Sequence, residues 1–153
     1  MVGGTGGYKT SFITPSISSI KKIRIHYEEE VLPYISVVQT SMTPHISKFK
    51  AIQVFFSAGY EITIGDTSTG KIREFLFADD DQIVSAKLWP NKNKDRVRGL
   101  EFVVAKSNGA RRTFSIKAKD VGSPVTVDVK SGKCYGIVAR FANEIDQLGF
   151  YFI

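Results

Sequence analysis

Three segments of the chain read alike and stand at equal intervals. Ala51-Ile52-Gln53-Val54-Phe55-Phe56, Gly99-Leu100-Glu101-Phe102-Val103-Val104 and Gln147-Leu148-Gly149-Phe150-Tyr151-Phe152 each run small or polar, aliphatic, any residue, then three apolar residues. Each begins 48 residues after the one before, 51 to 99 and 99 to 147. A strand of this kind cannot bury its apolar face alone, so copies at one spacing predict three similar β units about a pseudo-threefold axis. Each unit would then bring one inner strand to a shared centre. The residue before each copy breaks the pattern: Lys50, Arg98 and Asp146. A carboxylate needed by the fold alone would recur in every copy, so its confinement to the third marks that corner as specialised.

Strand signals dominate the remaining sequence. IKKIRIHY (20–27), YEITI (60–64), IREFLF (72–77), QIVSAKLW (82–89), RRTFSI (111–116), VTVDV (125–129) and CYGIVARF (134–141) join the strands that carry the repeat, 50–56, 99–105 and 147–153. They are rich in Ile, Val, Phe and Tyr, and most alternate apolar with polar residues, the period of a half-buried strand. About ten short strands without a helix pattern predict an all-β sandwich, barrel or prism. The stretch 28–47 carries Pro33 and Pro44 and reads as one further strand, at an edge or bent, followed by a loop. With 153 residues, 42% of them hydrophobic, the chain suits one domain over residues 1–153.

Composition removes several function classes. One cysteine, Cys134 in an apolar run, excludes an internal disulfide and a cysteine-ligated zinc site, and reads as a core thiol. His26 and His45 fall in no nucleophile or metal motif and read as surface or filler, so neither catalysis nor a cofactor is expected. Asp79-Asp80-Asp81 fits no calcium-loop spacing and reads as a polar turn. The net charge of +6 is scattered over Lys21, Lys22, Lys92 to Arg98, Arg111, Arg112, Lys117 and Lys119, which predicts solvated surface rather than a nucleic-acid footprint. No apolar run is long enough to span a bilayer, and MVGGTGGYKT lacks the regions of a secretory signal. A cytoplasmic or non-classically secreted protein, without membrane insertion by this domain alone, is the expectation.

Both ends of the chain offer polar chemistry. Gly3-Gly4-Thr5-Gly6-Gly7 lacks the Gly-Lys-Ser/Thr ending of a phosphate loop, but its bare backbone lets N–H groups approach a ligand closely. Ala142-Asn143-Glu144-Ile145 turns into Asp146 and sets backbone donors beside one carboxylate acceptor. A polyol needs that mixture, because each hydroxyl both donates and accepts, and a carboxylate can take protons from two of them. The two loops together predict a shallow sugar cradle.

The same residues resemble the jacalin-related lectins. That family opens on Gly-Gly-x-Gly-Gly, matched by Gly3 to Gly7, and closes on a Gly-x-x-x-Asp loop before an aliphatic-Gly-aromatic strand. Here the closing motif reads Ala142-Asn143-Glu144-Ile145-Asp146, then Leu148-Gly149-Phe150-Tyr151. VRGLEFVVAKSNG (97–109) and YGIVARF (135–141) look like the family's later strands. SAKLWPN, RVRGLEF, GKCYGIVARF and IDQLGFYF together look like the lectin domains of natterin-like, aerolysin-type pore-forming proteins. The resemblance covers 3–27 and 48–153, and makes 28–47 an enlarged connection.

It implies a β-prism of three four-stranded Greek-key sheets that binds carbohydrate without metal, catalysis or cofactor, at one site per subunit. Asp146 would accept from the sugar O4 and O6 hydroxyls. The N–H groups of Glu144 and Ile145 would donate to the ring oxygen or O6, and that of Gly7 to O3 or O4. A recognition loop at Pro90 to Asp95, with Asn91, Lys92 and Asn93, would tune selectivity. Residues precede Gly3, which under the resemblance favours mannose or glucose over galactose or N-acetylgalactosamine. The partners implied are mono- and oligosaccharides or glycoproteins, with homo-oligomers open. A targeting module of a pore-forming protein and a prism scaffold without a sugar site stay open as alternatives. Ala142 departs from the motif, and at positive φ an alanine would be strained by about 1 kcal/mol.

Overall fold

A computed structural model of the protein describes residues 1–4, 6–14, 19–29 and 46–153. Twelve strands run through them: β1 (Val2–Gly3), β2 (Tyr8–Ile13), β3 (Ile20–Glu29), β4 (Ile46–Phe56), β5 (Glu61–Gly65), β6 (Lys71–Leu76), β7 (Gln82–Pro90), β8 (Val97–Ala105), β9 (Arg111–Lys117), β10 (Val125–Val127), β11 (Cys134–Phe141) and β12 (Ile145–Phe152). The one helical piece among them is a 3-10 turn at Ser57–Gly59. Pro33, Pro44, His45 and the further strand expected in 28–47 lie outside the described residues, whereas Glu28 and Glu29 extend β3, and Ile46 and Ser47 begin β4.

The strands form three antiparallel four-stranded sheets, ordered β5-β4-β3-β6 (sheet I), β10-β7-β8-β9 (sheet II) and β1-β12-β11-β2 (sheet III), a β-prism. Each sheet is a Greek key. A central hairpin (β3β4, β7β8 or β11β12) is followed by a strand beside its second arm, and then by one that crosses to the first. In sheet III the last two places are taken by β1 and β2, so the two ends of the chain close one sheet. The 48-residue repeat is confirmed at single-residue register. Ile52 pairs with Ile25 and Ile64, Leu100 with Leu88 and Ile116, and Leu148 with Ala139 and Val2. β4, β8 and β12 touch one another at the centre.

Aromatic residues close the seams between sheets. Phe75 stacks on Phe114 at 4.8 Å between sheets I and II, and Phe102 meets Phe150 edge-on at 5.3 Å between II and III. Phe12 approaches Phe56 at 5.9 Å between III and I. Cys134 is a buried thiol, as expected, and burial pushes its pKa up to about 12. His26 is also buried, its Nε2 within 2.7 Å of Gln53 Oε1.

The residues before the repeated segments share one conformation. In each hairpin the register skips one residue of the second arm: Lys50 between Phe49 and Ala51, Arg98 between Val97 and Gly99, and Asp146 between Ile145 and Gln147. These are β-bulges, which bend a strand and re-aim the side chain at the bulge. The residue just past the neighbouring edge strand, β5, β9 or β1, captures the carbonyl of the bulged residue each time. Asp66 N–H donates to Lys50 at 3.1 Å, Ala118 N–H to Arg98 at 2.8 Å and Gly4 N–H to Asp146 at 2.7 Å. The fold therefore builds three equivalent corners, and side-chain identity distinguishes them.

Candidate functional site

Asp146 is 4% exposed, a buried acid at the sheet III corner. Two loops meet over it. The turn 142–144 is closed by Ala142 N–H donating to the Glu144 carbonyl at 3.1 Å, and it leaves Ala142 and Asn143 exposed while Ile145 is buried in the core. Among the described non-glycine residues positive φ occurs at Ala58, Lys94 and Lys130, so Ala142 carries none of the strain that its departure from the family motif suggested.

The N-terminal loop brings the second wall. A Cβ placed on Gly6 would stand 3.3 Å from Asp146 Oδ2, and one on Gly7 would stand 2.7 Å from it. Bare glycine backbone thus leaves a hollow in front of that oxygen. Gly7 has a second role. At φ +72° its Cβ would also meet the Phe141 carbonyl at 2.5 Å, and Gly70 in sheet I repeats this with φ +94° and the Tyr27 carbonyl at 2.7 Å. Both precede the crossing strand, so the left-handed conformation at Gly7 belongs to the Greek key as well as to the corner.

The other oxygen of Asp146 is engaged. Arg96 Nε lies 3.2 Å from Oδ1 and 3.1 Å from Glu144 Oε1, and Arg98 Nη1 lies 2.7 Å from Glu144 Oε2. This corrects the reading of Arg96 and Arg98 as solvated surface, while Lys92 and Lys94 are exposed as that reading had them. Arg96 and Arg98 reach across the seam between sheets II and III and hold the acids of the third corner. Arg98, which takes the place of Asp146 in its own unit, therefore contributes to the sheet III corner. A sequence signal for this existed: Arg96 and Glu144 stand 48 apart, as do Arg98 and Asp146, so facing units carry opposite charges at equivalent places. At the first corner Lys50 finds acids of its own sheet instead, Glu28 at 3.6 Å and Asp66 at 3.4 Å.

The expected recognition loop, Pro90 to Asp95, adjoins this corner through its last residue, Asp95. A Cβ on Gly4 would strike the Asp95 carbonyl at 2.6 Å, so the loop packs against the glycine-rich segment. Asn91 faces inward and closes its own loop, Lys92 pairs with Asp120 at 3.8 Å, and Asn93 is exposed. Burial pushes the Asp146 carboxyl above the usual aspartate range. Arg96 opposes this, Glu144 and Asp95 reinforce it, and Arg98 opposes it.

A second hollow, about 340 Å³, lies at the opposite end of the prism beside Ser19, Ser57, Asp79, Asp80 and Lys133. Its acids already have partners: Asp79 with Lys21, Asp80 with Ser107 and Lys106, and Asp81 with Arg112 and Lys106. The acid triplet is the polar turn that its spacing suggested. Among the described residues no group of three His, Cys, Asp or Glu could hold a metal ion.

The crystal structure of a lamprey immune protein, 26% identical with a TM-score of 0.77, aligns over 99% of this chain and 42% of that one. The chain thus spans less than half of the lamprey protein. A mannose-binding lectin from champedak is 18% identical with a TM-score of 0.69, over 99% of this chain and 92% of that one. A mannose-specific jacalin-related lectin from Morus nigra, solved with mannose, is 18% identical with a TM-score of 0.67, over 97% and 88%. The two plant lectins share the fold at these identities. No curated protein matches the chain. The family model of the jacalin-like lectin domain matches residues 1–151. The chain belongs to the jacalin-like lectin domain family.

Proposed function

We propose that the chain is a lectin domain that binds mannose- or glucose-type glycans without metal, at one site per subunit on the sheet III corner. The observation that carries this reading is the buried Asp146 carboxylate, whose Oδ2 faces a hollow lined by the backbone of Gly6 and Gly7. An acid held in a dry corner with one oxygen open onto bare backbone suits a hydroxyl, which donates to the carboxylate while amides donate to its oxygen. Exposed Ala142 and Asn143 form the outer lip, and Glu144 and Ile145 supply the N–H groups beside Asp146. Membership of the lectin family supports carbohydrate as the ligand class, and the mannose-binding champedak lectin and the mannose-specific Morus nigra lectin favour mannose. A shallow monosaccharide site typically holds at about the millimolar level, near −4 kcal/mol, so useful avidity needs branched glycans or more than one copy of the chain.

The test is a glycan array competed with free methyl α-mannoside and methyl α-galactoside, on wild type and D146N. A hydrogen bond to a charged group contributes about 1.5–3 kcal/mol, so D146N should weaken binding by about ten- to a hundredfold. Unaltered binding in D146N would remove Asp146 from the site, and competition by galactoside alone would replace mannose with the galactose reading. The 42% coverage of the lamprey protein favours a second, compatible reading, in which this lectin domain delivers a further region of a longer protein to a glycosylated surface.

A further inference from the structure

Arg96 is the contact at this corner that hydroxyl recognition by Asp146 leaves unexplained. Its backbone belongs to the loop before β8, yet its guanidinium crosses to sheet III, where its Nε–H donates to Glu144 Oε1 at 3.1 Å and Nε stands in an ion pair 3.2 Å from Asp146 Oδ1. The loop holds it in place. Asn91 Oδ1 accepts from the N–H groups of Asp95 at 2.9 Å and Arg96 at 3.2 Å, and Asn91 N–H donates to the Arg96 carbonyl at 3.0 Å. Arg96 Nη1 donates to the Asp95 carbonyl at 2.7 Å, which fixes the plane of the guanidinium. From the other side Arg98 holds Glu144 at 2.7 Å. Charge therefore alternates across the seam, in the order Arg98, Glu144, Arg96, Asp146, and Asp95 is the remaining acid that Asp146 senses. A seam closed for stability alone would be complete with Arg98 and Glu144. The added contact falls on one oxygen of the carboxylate whose other oxygen faces the hollow.

We infer that Arg96 is a positioning residue of the sugar site: it holds Asp146 Oδ1, so that Oδ2 alone accepts a ligand hydroxyl, and it sets a guanidinium donor beside that acceptor. The inference rests on the reading of this corner as a sugar site. It makes the 91–96 loop part of the binding apparatus through Arg96 rather than through Asn91, Lys92 or Asn93 directly. A rigid planar fork suits the role better than a flexible ammonium.

Wild type, R96Q and R96K distinguish positioning from mere seam closure, with nuclear magnetic resonance as the common readout. Titration of the Asp146 carboxyl carbon in the sugar-free protein measures the coupling, and titration with methyl α-mannoside and methyl α-galactoside measures affinity. R96Q removes the cation and should raise the Asp146 midpoint and weaken binding about tenfold. R96K keeps the charge and should return the midpoint toward wild type while restoring only part of the affinity. Amide spectra unchanged outside 90–96 and 142–146 confirm that the variants fold. An unchanged midpoint in R96Q overturns the coupling, and a raised midpoint with unchanged affinity leaves an ion pair that only closes the seam, which overturns the positioning role. If wild type binds neither glycoside, the sugar reading itself fails, visibly and whatever the midpoints do, and the positioning role falls with it.

Discussion

Burial withholds water from the Asp146 carboxylate, and Arg96 restores only part of the lost solvation, so the folded protein holds the Asp146 proton more tightly than the unfolded chain does. The consequence for stability follows from proton linkage. A raised folded pKa contributes stability below the unfolded value, about 3.9 for aspartate, and loses it as pH rises through the folded value. At neutral pH the ionised acid therefore costs stability that a neutral residue of the same shape would not. D146N should unfold at the same or a higher temperature than wild type at pH 7, and its advantage should grow between about pH 4 and pH 7. Thermal unfolding across that range checks this, and an advantage that shrinks as pH rises contradicts it. Taking the difference between the two proteins removes the carboxylates that pull the other way, such as Asp66, held low by Ser68, and Glu74, held low by Arg24. A side chain that costs the fold stability at neutral pH is the mark expected of a functional residue. Asp146 was legible in the sequence because the repeat showed what its place holds elsewhere. Arg96 was not, because an ion pair between sheets leaves no local pattern, and its only trace was the opposite charge 48 residues away.

Among the elements, the loop before β2 carries two kinds of glycine that a substitution can separate. Gly6 has no positive φ, and a Cβ there would enter the hollow 3.3 Å from Oδ2, with Asp146 the group it meets within 4 Å among the described residues beyond its chain neighbours. G6A should therefore weaken sugar binding about tenfold while changing stability by less than about 1 kcal/mol. Gly70 is the counterpart of Gly7 in sheet I, far from the hollow. G70A should lose at least about 1–2 kcal/mol to left-handed strain, more from the clash with Tyr27, and bind sugar normally. Urea unfolding beside glycoside titration checks both, and normal binding by G6A would move the ligand away from Gly6. The same segment shows where element prediction stopped. Strands with a buried face announce themselves by their apolar content, and β11 was read at its observed bounds, Cys134–Phe141. β1 and β2 were missed because β1 has only two residues and β2, Tyr8–Ile13, buries none of its own. β2 exposes Tyr8 and Ile13, and apart from Phe12 at the seam with Phe56 what holds it is the backbone ladder to β11, which has no hydrophobic period to read.

At the scale of the whole molecule, threefold equivalence makes a quantitative claim about the core. Ile52, Leu100 and Leu148 occupy the same place in the three sheets, each paired on both sides and exposed by no more than 1%. The surroundings differ chiefly in how the sheet is closed. Sheets I and II are each built from one continuous stretch, whereas sheet III is completed by β1 and β2, and Leu148 faces Val2 across a strand of only two residues. Truncation to alanine removes buried methyl groups and leaves a cavity, a loss of about 2–5 kcal/mol whose size depends on how far the neighbours can collapse. I52A and L100A should thus fall close together in that range. L148A should lie at or below them, because the short β1 can shift toward the vacated space and close part of the cavity. Urea unfolding of the three variants measures this ordering. A loss in L148A well above the other two would mean that the chain ends are packed as tightly as the continuous sheets, and that the sheet III corner rests on a frame as rigid as its counterparts.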